Sequence, residues 1–118
     1  MVTNKEAHLL RIFVGESDKI EGRPLYEWIV VKAKEAGLAG VTVLRGIMGF
    51  GANTRIIHSF KIERLSVDLP IVIEIVDEIE KLDHFLEMAE KHISSGLLAT
   101  MEKVQVRFYR PSKSGGTT

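Results

Sequence analysis

The feature that most limits how this chain can fold is an order of periodicities: apolar residues recur at a strand period, then a helix period, then a strand period, and the series repeats. From His8 to Gly15, Leu10, Ile12 and Val14 share one side and Leu9, Arg11 and Phe13 the other, which predicts a first strand. Pro24 then stands where a first helical residue is favoured, and Leu25, Ile29, Ala33 and Ala36 follow at helical spacing. Gly37 supplies a left-handed C-cap, with Leu38 able to fold back on the last turn. Val41 to Leu44 is a short second strand. Leu69-Pro70 introduces Ile71 to Val76, a nearly continuous apolar run expected near the centre of a sheet, interrupted by Glu74. Asp77 and Glu80 have the spacing of a capping box, and Ile79, Leu82, Leu86, Ala89 and Ile93 carry a second helix through to Ser94. Leu97 to Thr100 reads as a short strand, and Val104, Val106 and Phe108 alternate with Gln105, Arg107 and Tyr109 in a last one.

Strand, helix, strand, twice over, predicts an α+β fold: the ferredoxin-like plait, βαββαβ. Right-handed crossovers place both helices on one face of an antiparallel sheet. Leu9, Phe13 and Tyr109 make the first and last strands apolar on both sides, so the other face is expected to be hidden by oligomerisation. A chain of 118 residues, 45% hydrophobic, supports one core. The expectation is a single domain over 1–110, followed by a polar, glycine-rich, disordered tail over 111–118. Sixteen basic residues balance sixteen acidic ones, which leaves no overall positive field to gather nucleic acid. No apolar run reaches the length of a membrane span and the first residues lack a hydrophobic signal region, so a cytoplasmic protein without membrane insertion is expected. Without cysteine there is no disulfide, no thiolate catalysis and no cysteine-ligated metal.

The second strand opens directly into Arg45-Gly46-Ile47-Met48-Gly49-Phe50-Gly51-Ala52-Asn53. Three glycines within six residues remove the Cβ barrier to positive φ and let backbone N–H groups come close to a ligand. The amides of Gly49 to Ala52 can form a nest for phosphate; the alternative is a hairpin connection in which glycine only relieves turn strain. Arg45, Arg55 or Arg107 can add bidentate bonds to phosphate, or remain solvated surface charges. Ile47, Met48 and Phe50 can wall a base, and Glu74 can accept from an amino group. A carboxylate between Ile73 and Ile75 is costly unless it faces solvent or meets a partner. Among the four histidines, His8, His58, His84 and His92, only His84 lies at helical spacing from carboxylates, Glu80 and Glu87. That face is polar throughout, with Asp83, Glu90 and Lys91 nearby, and a solvated helix face explains it without metal. No nucleophile elbow, full phosphate-loop motif or Ser/His/Asp pattern is present, so no catalytic residue is assigned.

Three blocks carry a family likeness: Gly22 to Glu27 (GRPLYE), Ala36 to Gly51 (AGLAGVTVLRGIMGFG) and Asp68 to Asp77 (DLPIVIEIVD). Through them the chain resembles the nitrogen-regulatory PII (GlnB-like) signalling proteins, and more closely a PII-like family known as domain of unknown function 190. The likeness runs from His8 to Tyr109. It implies a homotrimer with an adenine nucleotide in clefts between subunits and a loop, about 46–65, that changes shape on binding. Gly49, Phe50 and Gly51 match the loop base whose backbone contacts phosphate. Thr42 matches a strand threonine near the base, Glu74 the carboxylate beside the adenine, and Arg107 the basic residues that reach phosphate across the subunit boundary. Two departures bear on the ligand. Where PII carries a Gly-Asp-Gly-Lys loop, this chain has Ser94-Ser95-Gly96-Leu97-Leu98, which favours AMP or ADP over ATP; and the arm from Ala52 to Ser66 has no tyrosine to be nucleotidylated. The reading is a non-enzymatic sensor that requires no cofactor and acts on an unidentified target protein, such as a transporter or an enzyme. The alternatives are a small enzyme acting on a phosphorylated metabolite in the same cleft, and a purely structural oligomer.

Overall fold

The structure, a computed structural model, describes residues 6–51 and 68–112. In chain order it contains β1 (Glu6–Gly15), β2 (Lys19–Ile20), β3 (Arg23–Pro24), α1 (Leu25–Glu35), β4 (Thr42–Arg45), β5 (Pro70–Asp77), α2 (Ile79–His92) and β6 (Leu98–Gln105). The strands β4, β5, β1 and β6 lie side by side in that order, each pair antiparallel. Since β1 and β4 are not neighbours, α1 must cross the sheet between them. This is the predicted ferredoxin-like plait.

One face of the sheet is formed by Leu10, Ile12 and Val14 from β1 and by Ile71, Ile73 and Ile75 from β5. They share a single cluster with Leu25, Trp28, Ile29 and Ala33 of α1 and with Leu82 and Phe85 of α2, so both helices cover the same face. Trp28 and Phe85, the largest fully buried side chains, stand outside the predicted stripes. Each lies three residues beyond a buried leucine, Leu25 or Leu82, and the i+3 neighbour widens a helical stripe as the i+4 neighbour does. Ala36, expected to pack inward, is exposed because α1 ends at Glu35 and Ala36 is its cap. The expected glycine stop is present: Gly37 has a φ of 78°, its N–H donates to the Lys34 carbonyl at 3.1 Å, and the Leu38 N–H donates to the Ala33 carbonyl at 3.2 Å. These two bonds satisfy helix-end carbonyls that otherwise lack partners.

Several local expectations are corrected. Asp77 is not the start of a capping box, since Glu78 occupies the N-cap of α2 with no side-chain cap bond. Asp77 continues the buried parity of Ile71, Ile73 and Ile75 and is itself fully buried. Its Oδ1 accepts the Glu78 N–H at 2.7 Å and its Oδ2 the Ala39 N–H at 2.9 Å, tying the start of α2 to the junction between α1 and β4. The two predicted final strands are one strand, β6, because β1 offers an unbroken ladder from Phe13 opposite Leu98 to Glu6 opposite Gln105. Val106, Arg107, Phe108 and Tyr109 lie beyond it. The polar segment after β1 contains a small hairpin, β2 and β3, turned by Glu21 (φ 51°) and Gly22 (φ 78°), the conformations that a two-residue type I′ turn requires. α2 ends at His92, two residues short of Ser94. The arm from residue 52, and the tail from residue 113, lie outside the described residues.

Candidate functional site

Residues opposite one another in an antiparallel ladder share a face, so the pairing register defines what the helix-free side of the sheet displays. Its first row is Leu44, Val72, Phe13 and Leu98; its second is Thr42, Glu74, Arg11 and Thr100; its third begins Val76, Leu9, Glu102. In the middle, Arg11 Nε donates to Glu74 Oε2 at 2.9 Å and Nη1 donates to Glu102 Oε2 at 3.2 Å. The hydrogen bond to Glu74 raises the Arg11 pKa above its ordinary value; partial desolvation opposes this, and Glu102 adds to the rise. Glu74 therefore meets the partner that its apolar strand demands.

At one edge of this face is a cleft of about 390 Å³. The sheet contributes Leu9, Thr42, Glu74 and Val76; the α1–β4 junction contributes Ala39, Gly40 and Val41; the segment after β6 contributes Val106 and Tyr109. The Tyr109 hydroxyl donates to the Ala39 carbonyl at 3.2 Å. The walls are chiefly aliphatic, with the Thr42 hydroxyl and the Glu74 carboxylate to orient a ligand, and among the described residues no lysine or arginine lines the space.

Of the residues expected to bind ligand, Thr42 and Glu74 are brought together, directly opposite in the β4–β5 ladder and both in the cleft. Arg45, Gly46, Met48, Gly49, Phe50 and Gly51 follow at the far end of β4. Arg45 places Nη2 2.7 Å from Glu16 Oε2. The Gly46 N–H donates to the Pro70 carbonyl at 2.7 Å, and a Cβ at Gly46 would lie 2.8 Å from Pro70 Cγ. Gly46 is thus required by close packing on Pro70. Gly49 has a φ of 150°. Ile47 is 95% exposed, and Met48 and Phe50 are exposed beside it, so none of the three walls this cleft. Gly51 closes the described segment, and Arg55 lies outside the described residues. Arg107 is exposed just past β6, outside the cleft. Four residue steps along the chain lead from Thr42 to Gly46, about 13 Å at roughly 3.3 Å each. Among the described residues, no group of three or more His, Asp or Glu is placed to hold a metal.

Residues 7–106 match the DUF190 family, whose description is Uncharacterized ACR. The chain belongs to that family. It is 46% identical over 99 residues to a UPF0166 protein of Aquifex aeolicus (strain VF5), an alignment covering 83% of this chain and 90% of the relative. Among solved structures, this DUF190 chain is similar to CPII from Thiomonas intermedia K12 bound to ADP, AMP and acetate. The TM-score is 0.60 at 18% identity, covering 88% of this chain and 95% of CPII. CPII bound to ADP, AMP and bicarbonate, described as a nitrogen regulatory PII-like protein, gives 0.59 at 16% identity over 86% and 94% of the two chains. At such identities the likeness establishes a PII-like fold. Within the described residues, no helix is long and apolar enough to cross a membrane.

The sequence reading missed seven residues of the cleft: Leu9, Ala39, Gly40, Val41, Val76, Val106 and Tyr109. Leu9 and Val76 were legible in principle, since each carries the open-face parity of its strand. Val106 and Tyr109 were not, because they lie past the end of β6, where period-2 reasoning no longer applies.

Proposed function

We propose that this DUF190 protein is a PII-like regulatory homotrimer that binds an adenine nucleotide, AMP or ADP in preference to ATP, and signals through the loop that follows β4. The observation that carries this reading is the pairing of Thr42 with Glu74 in an aliphatic cleft, on the strand that leads directly into Gly46 to Gly51. Thr42 and Glu74 supply acceptors for the edge of a base. With no cation lining the cleft among the described residues, the phosphates lie outside it, along β4 toward the glycine end, where backbone amides and Arg107 of a second protomer complete the site. CPII, which shares the fold, is described with ADP and AMP bound. The open face supports assembly, since Leu44 and Leu98, at the two ends of its apolar row, are 47% and 52% exposed in a single chain.

Signalling requires the nucleotide to favour one state of the loop over another, and tenfold discrimination corresponds to about 1.4 kcal/mol. A single charge-assisted bond to phosphate is of that size. The target is a protein that reads the loop. Calorimetry with AMP, ADP and ATP tests the reading: AMP and ADP bind without being consumed, and Glu74→Gln weakens both about tenfold. Absence of binding by all three nucleotides refutes it, and turnover of any of them replaces the sensor with an enzyme acting in the same cleft.

A further inference from the structure

We infer that Tyr109 is a ligand-contacting residue of the cleft and that 106–110 forms a strap held closed by the Tyr109 hydroxyl; this rests on the nucleotide reading above. The anchor for the latch is rigid. Ala39 accepts the Tyr109 hydroxyl through its carbonyl, while its own N–H is held by Asp77, a fully buried carboxylate at the end of β5. Both polar groups of the Ala39 residue are therefore engaged, one by the core and one by the strap. The strap carries Val106 and Tyr109 into the cleft lining, and the sheet provides Leu9, Thr42, Glu74 and Val76. Among the described residues, Tyr109 is the only aromatic side chain in that lining. A phenol in an otherwise aliphatic cleft gives a planar heteroaromatic ring a stacking surface at small conformational cost, because only two torsions must be fixed. Phe108 does not share this role, since it is exposed outside the lining, with the Arg110 guanidinium 4.9 Å from its ring centre. Removal of the strap would take away two apolar lining residues at once and leave the base-binding end open to water.

Two variants separate the latch from the wall. Tyr109→Phe keeps the ring and removes the hydroxyl bond; Tyr109→Ala removes both. Calorimetry with AMP on the full chain is expected to show a loss of about tenfold or more for Tyr109→Ala and a smaller loss, about threefold, for Tyr109→Phe. Hydrogen exchange in the absence of nucleotide is expected to be slower over 106–110 in the natural chain than in Tyr109→Phe. AMP affinity equal to that of the natural chain in both variants overturns the ligand contact, and exchange over 106–110 that is equally fast in the natural chain and in Tyr109→Phe overturns the latch. If the natural chain binds no adenine nucleotide, the functional reading fails and takes the ligand contact with it, while the exchange comparison still decides the latch.

Discussion

The two faces of the sheet are made by the same strands and solve opposite problems. On the helix side, six aliphatic side chains of β1 and β5 meet Trp28, Ile29, Leu82 and Phe85, and the only ionisable side chain fully buried among the described residues is Asp77, whose oxygens accept two backbone N–H groups. On the other side, an apolar row from Leu44 to Leu98 lies beside a charged row centred on Arg11, Glu74 and, one step away, Glu102. Burial on the first face is non-directional and proportional to apolar area removed from water, so it can specify a fold without help from any partner. The second face holds charges that are satisfied only in one geometry, and it leaves leucines half in water. Such a surface gains most when a second copy covers its apolar part and leaves the ion pairs intact.

The contrast is sharpest in its energetics. Trp28→Ala opens a cavity against both helices and is expected to cost about 3–5 kcal/mol, a large share of a small domain's stability. Urea unfolding followed by circular dichroism measures it, and a loss under about 1 kcal/mol would mean that the helix side is not the principal core. Next in size is an effect on assembly. The double variant Leu44→Glu, Leu98→Glu leaves the helices formed but puts charge at both ends of the apolar row, so multi-angle light scattering is expected to change from a trimer to a monomer. A trimer that persists would show that copies meet elsewhere. Arg11→Met has the smallest expected effect. The two pairs it breaks, to Glu74 and Glu102, are 37% exposed at the arginine, so solvent screens them, and the unfolding midpoint is expected to stay within error of the natural chain. The pH dependence points the same way. A raised arginine pKa gives a contribution that is complete below the ordinary arginine range and is lost only as pH rises through the higher folded value, so stability measured from pH 7 to pH 10 should show no loss from this group.

Where sequence reasoning worked, the signal was local. The parity of β1 separated Leu10, Ile12 and Val14 from Leu9, Arg11 and Phe13, and the structure puts the first three in the core and the others on the open face. Gly37 was recognisable as a helix stop because the backbone conformation it must adopt is one that other residues resist. Where it fell short, the deciding partner was distant along the chain. Asp77 has the spacing of a cap, yet the amide it holds on Ala39 is 38 residues away. Arg11 and Glu74, which neutralise one another at the centre of the open face, are 63 residues apart. The glycine-dense segment was legible as a place of close backbone approach, but not that the close neighbour of Gly46 is Pro70.

Periodicity, glycine placement and the order of elements are properties of neighbouring residues, and by themselves they determined the plait, the helix-covered face and the strand on which Thr42 lies. Only the folded chain decided which strands became neighbours, and with that the ion pairs, the meeting of Thr42 with Glu74 and the reach of Tyr109 to Ala39 across 70 residues. The physical reason is that a side chain's own spacing sets which face it occupies. What stands opposite depends on closing loops, and the pairing register then places each partner to within a single residue.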